Sequence, residues 1–277
     1  MFKQKQTHTL QPSGQKHARK VGGSMFQDER HSWLTSYARS HGRVDVNKSS
    51  EALGVTVETI RRDLNDLEKK NLLRRVHGGA IPIEGYVYES SLATRKLQFI
   101  EEKRRITRKA LEFVGESETI FLDEGYTHQI FAEIWNPQHQ VTVVTNAIHT
   151  AAILCAKKNI EVIFLGGKVR SVTAATADQW ALRQLSELVL DLALIGTNGL
   201  SLQHGCTSPN ANCSATKAAA IKAAHKSILL ATSNRFGFDS FIKFCDLTVF
   251  SDVITDSEMD NETFTKFSAA GMRITRA

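Results

Sequence analysis

Cysteine is scarce in this 277-residue chain, and its four copies, Cys155, Cys206, Cys213 and Cys245, form no C-x-x-C pair and flank no histidine cluster of zinc-ligand spacing. That speaks against a disulfide framework and a structural zinc; the four are expected as reduced residues of a core or pocket wall. No apolar run approaches the roughly 18 residues of a membrane span, and residues 1–24 lack the apolar segment of a secretory signal. A soluble, cytoplasmic protein with no membrane partner is expected. Absent as well are a nucleophile elbow, a Walker loop and a metal-ligand motif, and the ten histidines are scattered. No catalytic residue, metal ligand or cofactor is assigned.

What is present is divided in two. A hydrophobic content of 42% over this length supports one large core and a small second domain. Residues 1–110 hold 22 Lys/Arg against 12 Asp/Glu, a net +10, and the remainder 13 against 17, a net −4. A basic front and an acidic body place a polyanionic partner at the N-terminal domain. Residues 1–24 read as a disordered basic extension, with Met25 as an alternative start.

The segment TIRRDLNDLEKKNLLRRVHGGA, Thr59 to Ala80, carries the strongest local signal. Ile60, Leu64 and Leu67 recur at the spacing of one helical face, while Thr56, Thr59, Arg61, Arg62 and Asn65 project elsewhere. Thr56 is a suitable N-cap for a helix starting at Val57. Upstream, Ser49–Leu53 suits a short helix and Gly54 a turn at positive φ. Downstream, Leu72–Val76 and Ala80–Ile83 suit two strands, joined through Gly78 and Gly79, with Arg74, Arg75 and His77 at the turn. Helix, tight turn, helix and basic hairpin predict a winged helix-turn-helix over residues 27–82. Its partner is a double-stranded DNA operator: Arg61 and Arg62 meet groove and phosphate, and Arg74, Arg75 and His77 meet the backbone. One such module buries little surface, so at least a homodimer, or a homotetramer, is expected.

After a connector at residues 84–98, the body (99–277) alternates short apolar runs, polar turns and amphipathic helices, the pattern of a parallel-sheet α/β domain. Predicted strands are Thr119–Leu122, Val141–Val144, Ile160–Leu165, Leu192–Ile195, Ser227–Ala231, Leu247–Phe250 and Val253–Ile254. Ligands bind such sheets at the carboxyl ends of strands. Those ends carry Asp123, Gly125 and Thr127; Thr145 and Asn146; Gly166, Gly167 and Lys168; and Ser233, Asn234 and Arg235. They suit a small polar anion such as a sugar phosphate. Asp123, Glu124, Lys168, Lys217 and Arg235 could also supply acid, base and electrophile, so an enzyme with a DNA-binding appendage is the rival reading, and a DNA binder with a vestigial pocket a third.

TIRRDLNDL followed by LRRVHGGA resembles the DeoR family of bacterial transcriptional regulators, in particular its glycerol-3-phosphate regulon repressor group. Further matches run through Glu102-Lys103-Arg104, the Asp123 to Thr127 loop, Leu165-Gly166-Gly167, Gly205 with Thr207, Lys217, and Ile254-Thr255-Asp256. The resemblance implies a sensor domain similar to ribose-5-phosphate isomerase. It implies a phosphorylated sugar or related metabolite as effector, with Gly205, Thr207 and Lys217 at its site, and a repressor of carbohydrate catabolism working on the nucleoid. The chain departs from the family pattern in five places. Thr232-Ser233-Asn234-Arg235 replaces an Asp-x-Ser-Lys loop, Cys213 stands where an acid is usual, Thr173 to Gln179 lacks the glycine common after the Gly-Gly loop, Tyr126 lies within the first loop, and Ser49 replaces a large apolar residue. Loss of an acid and an amine together argues against isomerase chemistry, and Ser49 implies a packing defect before the turn.

Overall fold

The computed structural model describes residues 26–70, 72–82 and 89–277, without the side chains of Arg39 and Ser40. The predicted basic extension, residues 1–24, and part of the predicted connector lie outside them. In the N-terminal domain α1 (Gln27–His41) leads through β1 (Val44–Asp45) to α2 (Val46–Leu53) and α3 (Val57–Lys69), then to the hairpin β2 (Leu73–Val76) and β3 (Gly79–Pro82). Ile60, Leu64 and Leu67 are fully buried against Leu34, Ala38, Val44 and Leu73, so the apolar stripe of α3 faces the core. Each such side chain contributes about 1.5–3 kcal/mol. α2 starts three residues before the predicted Ser49 because Asp45 caps it, its carboxylate accepting from the backbone N–H groups of Asn47 and Lys48 at 2.9 and 3.0 Å. Gly54, at φ +64, ends it. Ser49 is 2% exposed and borders a groove with Trp33 and Tyr37, the opening that a larger apolar side chain would fill.

In the predicted connector, α4 (Leu92–Arg95) packs on the body, with Leu92 N–H donating to Val172 O at 2.9 Å. There follow α5 (Ile100–Val114), β4 (Thr119–Leu122), α6 (Tyr126–Ile134), β5 (Val141–Thr145), α7 (Ile148–Cys155) and β6 (Ile160–Phe164). A small hairpin, β7 (Val169–Arg170) and β8 (Ala175–Thr176), precedes α8 (Gln179–Ser186) and β9 (Leu190–Gly196). Then come β10 (Gly199–Ser201), β11 (Gly205–Ser208), α9 (Ala211–Ala223), β12 (Ala224–Leu230), β13 (Ile242–Cys245), β14 (Asp252–Thr255), α10 (Asn261–Ala269) and β15 (Ile274–Arg276).

Seven parallel strands form one sheet in the order β15-β14-β12-β9-β4-β5-β6. Successive residues feed opposite faces. Ile120, Leu122, Leu192, Leu194, Ile228 and Leu230 pack with α5 and α6, whereas Phe121, Ala193, Ile195 and Leu229 pack with α8, α9 and α10. Burial on both faces explains why the strands read as continuous apolar runs. From β4 the chain winds outward through β5 and β6, then returns to the other side of β4 with β9. Strand order therefore reverses between β4 and β9, where a crevice opens at their carboxyl ends.

Two expectations need correction. Leu247–Val249 is a 3-10 helix, and the strand between β12 and β15 is Asp252–Thr255; Leu247 and Phe250 are buried as core side chains without joining a ladder. A second, antiparallel sheet of β10, β11 and β13 had no legible pattern, its strands being three or four residues long and two of them opening on a glycine. Of the four cysteines, Cys206 and Cys213 are buried as expected, but Cys155 is exposed. No helix of the described residues is long and apolar enough to cross a membrane.

Candidate nucleic-acid interface and effector cleft

Thr56 caps α3, its Oγ1 accepting from Thr59 N–H at 3.2 Å and lying 2.9 Å from Thr59 Oγ1. With the apolar stripe buried, Arg61, Arg62 and Asn65 stand exposed on the outer face. Arg61 makes a loose 3.6 Å pair with Glu58. Arg75 lies beside this face: its backbone N–H donates to Glu68 Oε1 at 2.6 Å and its Nη1 to Arg61 O at 3.4 Å. His77 and Gly78 are exposed at the hairpin tip. Gly79 is required by close approach, since a Cβ there would lie 1.9 Å from Val44 O. Arg74 goes elsewhere than expected. Its Nη2 donates to Asn234 O at 3.2 Å, and burial followed by the charge of Arg235 lowers its pKa. It faces the C-terminal domain. Asp63, within the recognition segment but not singled out, anchors α1: it accepts from Arg30 Nε and Nη2 at 2.7 and 3.0 Å and lies 3.2 Å from His31 Nε2.

At the reversal of the sheet a cleft is lined by Glu124 to His128 after β4, Gly196 to Asn198 after β9, and Thr232 and Arg235 after β12. Lys217 of α9, Lys103 of α5 and Arg95 of α4 complete it. Predicted residues Gly125, Thr127, Lys217 and Arg235 meet here, and Asp123 lies behind them, fully buried. Asp123 accepts from Glu124 N–H at 2.8 Å, Gly196 N–H at 2.9 Å and Lys217 Nζ, so it fastens β4, β9 and α9 together. Burial opposes the Lys217 charge, yet Asp123 and Glu124 outweigh it and raise its pKa. Lys103 donates to Arg95 O and Gln98 O, both at 2.7 Å; burial, then Arg235 and Arg95, push its pKa down to about 7. Burial pushes the fully enclosed His128 down to about 4, leaving it neutral near pH 7.

The other predicted effector residues do not line this cleft. Thr145 Oγ1 donates to Leu122 O and Asn146 Nδ2 to Thr176 O, both buried and structural. Gly166, Gly167 and Lys168 follow the edge strand β6, and two of their three backbone donors are occupied: Gln184 Oε1 accepts from Gly166 and Asp178 Oδ2 from Lys168. Gly205 sits against Cys245 O in the second sheet, and Thr207 Oγ1 donates to Gly199 O at 3.1 Å, buttressing the loop after β9. Ser233 N–H donates to Asp256 Oδ2 at 2.7 Å, and Asn234 faces the groove beside Arg74. Sequence reasoning passed over Glu89 and Arg95 in the connector, and Arg170. Glu89 accepts from Arg95 Nη2 at 3.2 Å and Arg170 Nη2 at 2.6 Å; those two arginines hold its pKa down against burial. Nothing local distinguishes these residues from surface charges.

Among solved structures, ribose 5-phosphate isomerase A from Neisseria gonorrhoeae aligns over 48% of this chain and 52% of that one, at 18% identity and a TM-score of 0.36. Among curated relatives, the HTH-type transcriptional regulator GlpR of Haloferax volcanii is 32% identical over 85% of this chain and 91% of its own length. The lactose phosphotransferase system repressor of Staphylococcus epidermidis is 33% identical over 81% and 90%. The glycerol-3-phosphate regulon repressor of Escherichia coli is 29% identical over 84% and 92%. Residues 30–85 match the DeoR-like helix-turn-helix domain, and residues 98–257 the DeoR C terminal sensor domain. With both domains matched in order and relatives aligned along most of their length, the chain belongs to the DeoR family of transcriptional regulators.

Proposed function

We propose that this chain is a repressor of a carbohydrate-catabolism operon, holding a double-stranded operator through α3 and the hairpin tip and adjusting its grip when a phosphorylated sugar or related metabolite enters the cleft. The observation that carries the DNA half is the exposed row of Arg61, Arg62 and Asn65 on a capped helix, with Arg75 and His77 beside it. Cations at Arg95, Lys103 and Arg235 around a crevice at a strand-order reversal support the anionic ligand. Relatives named as repressors of the glycerol-3-phosphate regulon and the lactose phosphotransferase system support a sugar-phosphate pathway. Binding without turnover fits the cleft, because Asp123 and Lys217 hold each other in a buried pair. The protein acts in the cytoplasm, on the nucleoid, as a homodimer or homotetramer, since one module of this size covers a single half-site.

With an operator selected from a random DNA pool, Arg62→Ala is expected to weaken binding and to lower the exponent of its salt dependence by about 0.9, one phosphate contact. Unchanged affinity and unchanged exponent would count against the assignment. Sedimentation of the free protein at micromolar concentration checks the oligomer.

A further inference from the structure

Glu124 is the unusual group in the cleft. It is 6% exposed, it lines the wall, and its Oε2 has no hydrogen-bond partner. A buried carboxyl oxygen left without a donor is costly, so a position of this kind awaits something that enters from outside. Glu124 comes close to Glu89 and Cys213, ligand atoms of the three lying within 4.8 Å of one another. A metal ion is a poor occupant there. Both oxygens of Glu89 are bound to Arg95 and Arg170, and Arg170 Nη1 lies 2.6 Å from Cys213 Sγ, so two guanidinium charges already fill the neighbourhood. Burial and the adjacent Glu124 push the Cys213 thiol well up, away from the thiolate a metal needs. The Cys213 thiol is itself a weak donor to the Glu124 carboxyl, which leaves Oε2 for a stronger O–H or N–H donor. The charged groups on the rest of the cleft are Arg95, Lys103, Lys217 and Arg235, all basic, so the molecule bearing that donor is anionic elsewhere.

We propose that Glu124 determines ligand choice: its Oε2 accepts a hydrogen bond from a hydroxyl or ammonium group of a phosphorylated ligand whose phosphate lies among Arg95, Lys103 and Arg235. The inference rests on the cleft being the effector site. A chain lacking an acid at position 213 thereby still holds a carboxyl group within 4.8 Å of that position, delivered from the loop after β4. It also narrows the ligand class to phosphates carrying a second, donating group, and excludes those that are apolar beyond the phosphate.

The test is calorimetric titration of the full chain with methyl phosphate, which has no hydroxyl on carbon, and with ribose 5-phosphate, glycerol 1-phosphate, glucose 6-phosphate and glucosamine 6-phosphate. At least one of the four is expected to bind about tenfold or more tightly than methyl phosphate. Glu124→Leu closes that gap. Glu124→Gln, of the same shape and still carrying an acceptor oxygen, keeps part of the gap for a hydroxyl and loses it for the ammonium of the amino sugar, so the two donors are told apart. Thermal melting confirms that both variants fold. A gap that survives Glu124→Leu, no gap in the unaltered chain, or stoichiometric Zn²⁺ uptake that disappears with Glu124→Leu overturns the proposal. If none of the five phosphates binds, the effector reading of the cleft falls and this inference with it; if they bind and no gap is seen, only the inference falls.

Discussion

The two basic regions of this molecule use the same residue types under opposite conditions. On α3 and the hairpin tip, Arg61, Arg62 and His77 stand in solvent, where salt screens them and each acts nearly alone. In the cleft, Lys103 and Lys217 are buried; burial with Arg235 and Arg95 beside it weakens the charge of Lys103, while Asp123 and Glu124 hold that of Lys217 in place. The first arrangement suits a regularly spaced polyanion met over a broad surface. The second suits a single small anion held in one orientation, because low dielectric makes each contact strong and each mismatch expensive.

Three measurements would sharpen or break this contrast. The largest effect is expected for Lys217→Met, which leaves Asp123 buried without its counter-charge: a loss of about 3–5 kcal/mol in urea unfolding of the C-terminal domain, with the N-terminal transition unmoved. A loss below about 1 kcal/mol would place the pair among screened surface charges. Next is the pH response. Lys103, with its pKa near 7, carries its charge below that pH and loses it above, and a bound phosphate would raise that pKa. Methyl phosphate affinity should therefore fall between pH 6.5 and 8.5, by up to about tenfold per pH unit, and Lys103→Arg should flatten the profile. A flat profile in the unaltered chain would contradict the pKa. The smallest effect is expected for Arg74→Ala. Since its guanidinium donates to Asn234 O, the salt exponent on operator DNA should stay unchanged, where Arg62→Ala lowers it by about 0.9. A drop equal to that of Arg62→Ala would return Arg74 to the DNA.

The same contrast explains what could be read from the chain. α3 was legible to the residue because its determinants are local: Thr56 caps it, Ile60, Leu64 and Leu67 repeat at helical spacing, and the hairpin follows directly. Asp63 escaped notice since an acid in a charged helix gives no sign that Arg30 and His31, more than thirty residues upstream, will close on it. The parallel sheet was legible because alternate residues of each strand are apolar in both directions. The cleft was only partly so. Polar loops follow every strand, but only those beside the reversal of strand order line one cavity, and that order is a property of the whole topology. Gly166 to Lys168 looks like an anion loop in isolation, yet Gln184 and Asp178 occupy the donors of Gly166 and Lys168. Arg95 and Glu89 lie in a segment whose composition suggested only a connection, and Lys103 was visible only as one cation among several opening α5.

The bond between Arg74 and Asn234 has a consequence for how such a protein can change. Its acceptor is a backbone carbonyl, while the Asn234 side chain is engaged with Thr232 Oγ1 at 2.6 Å. The link between hairpin and turn is therefore indifferent to which residue occupies position 234. The Thr232 to Arg235 turn can drift in sequence, and with it the chemistry offered to a ligand, while the same main-chain atom stays tied to the hairpin. Arg74 has no such freedom. The contact between the two domains survives such drift, provided that arginine remains.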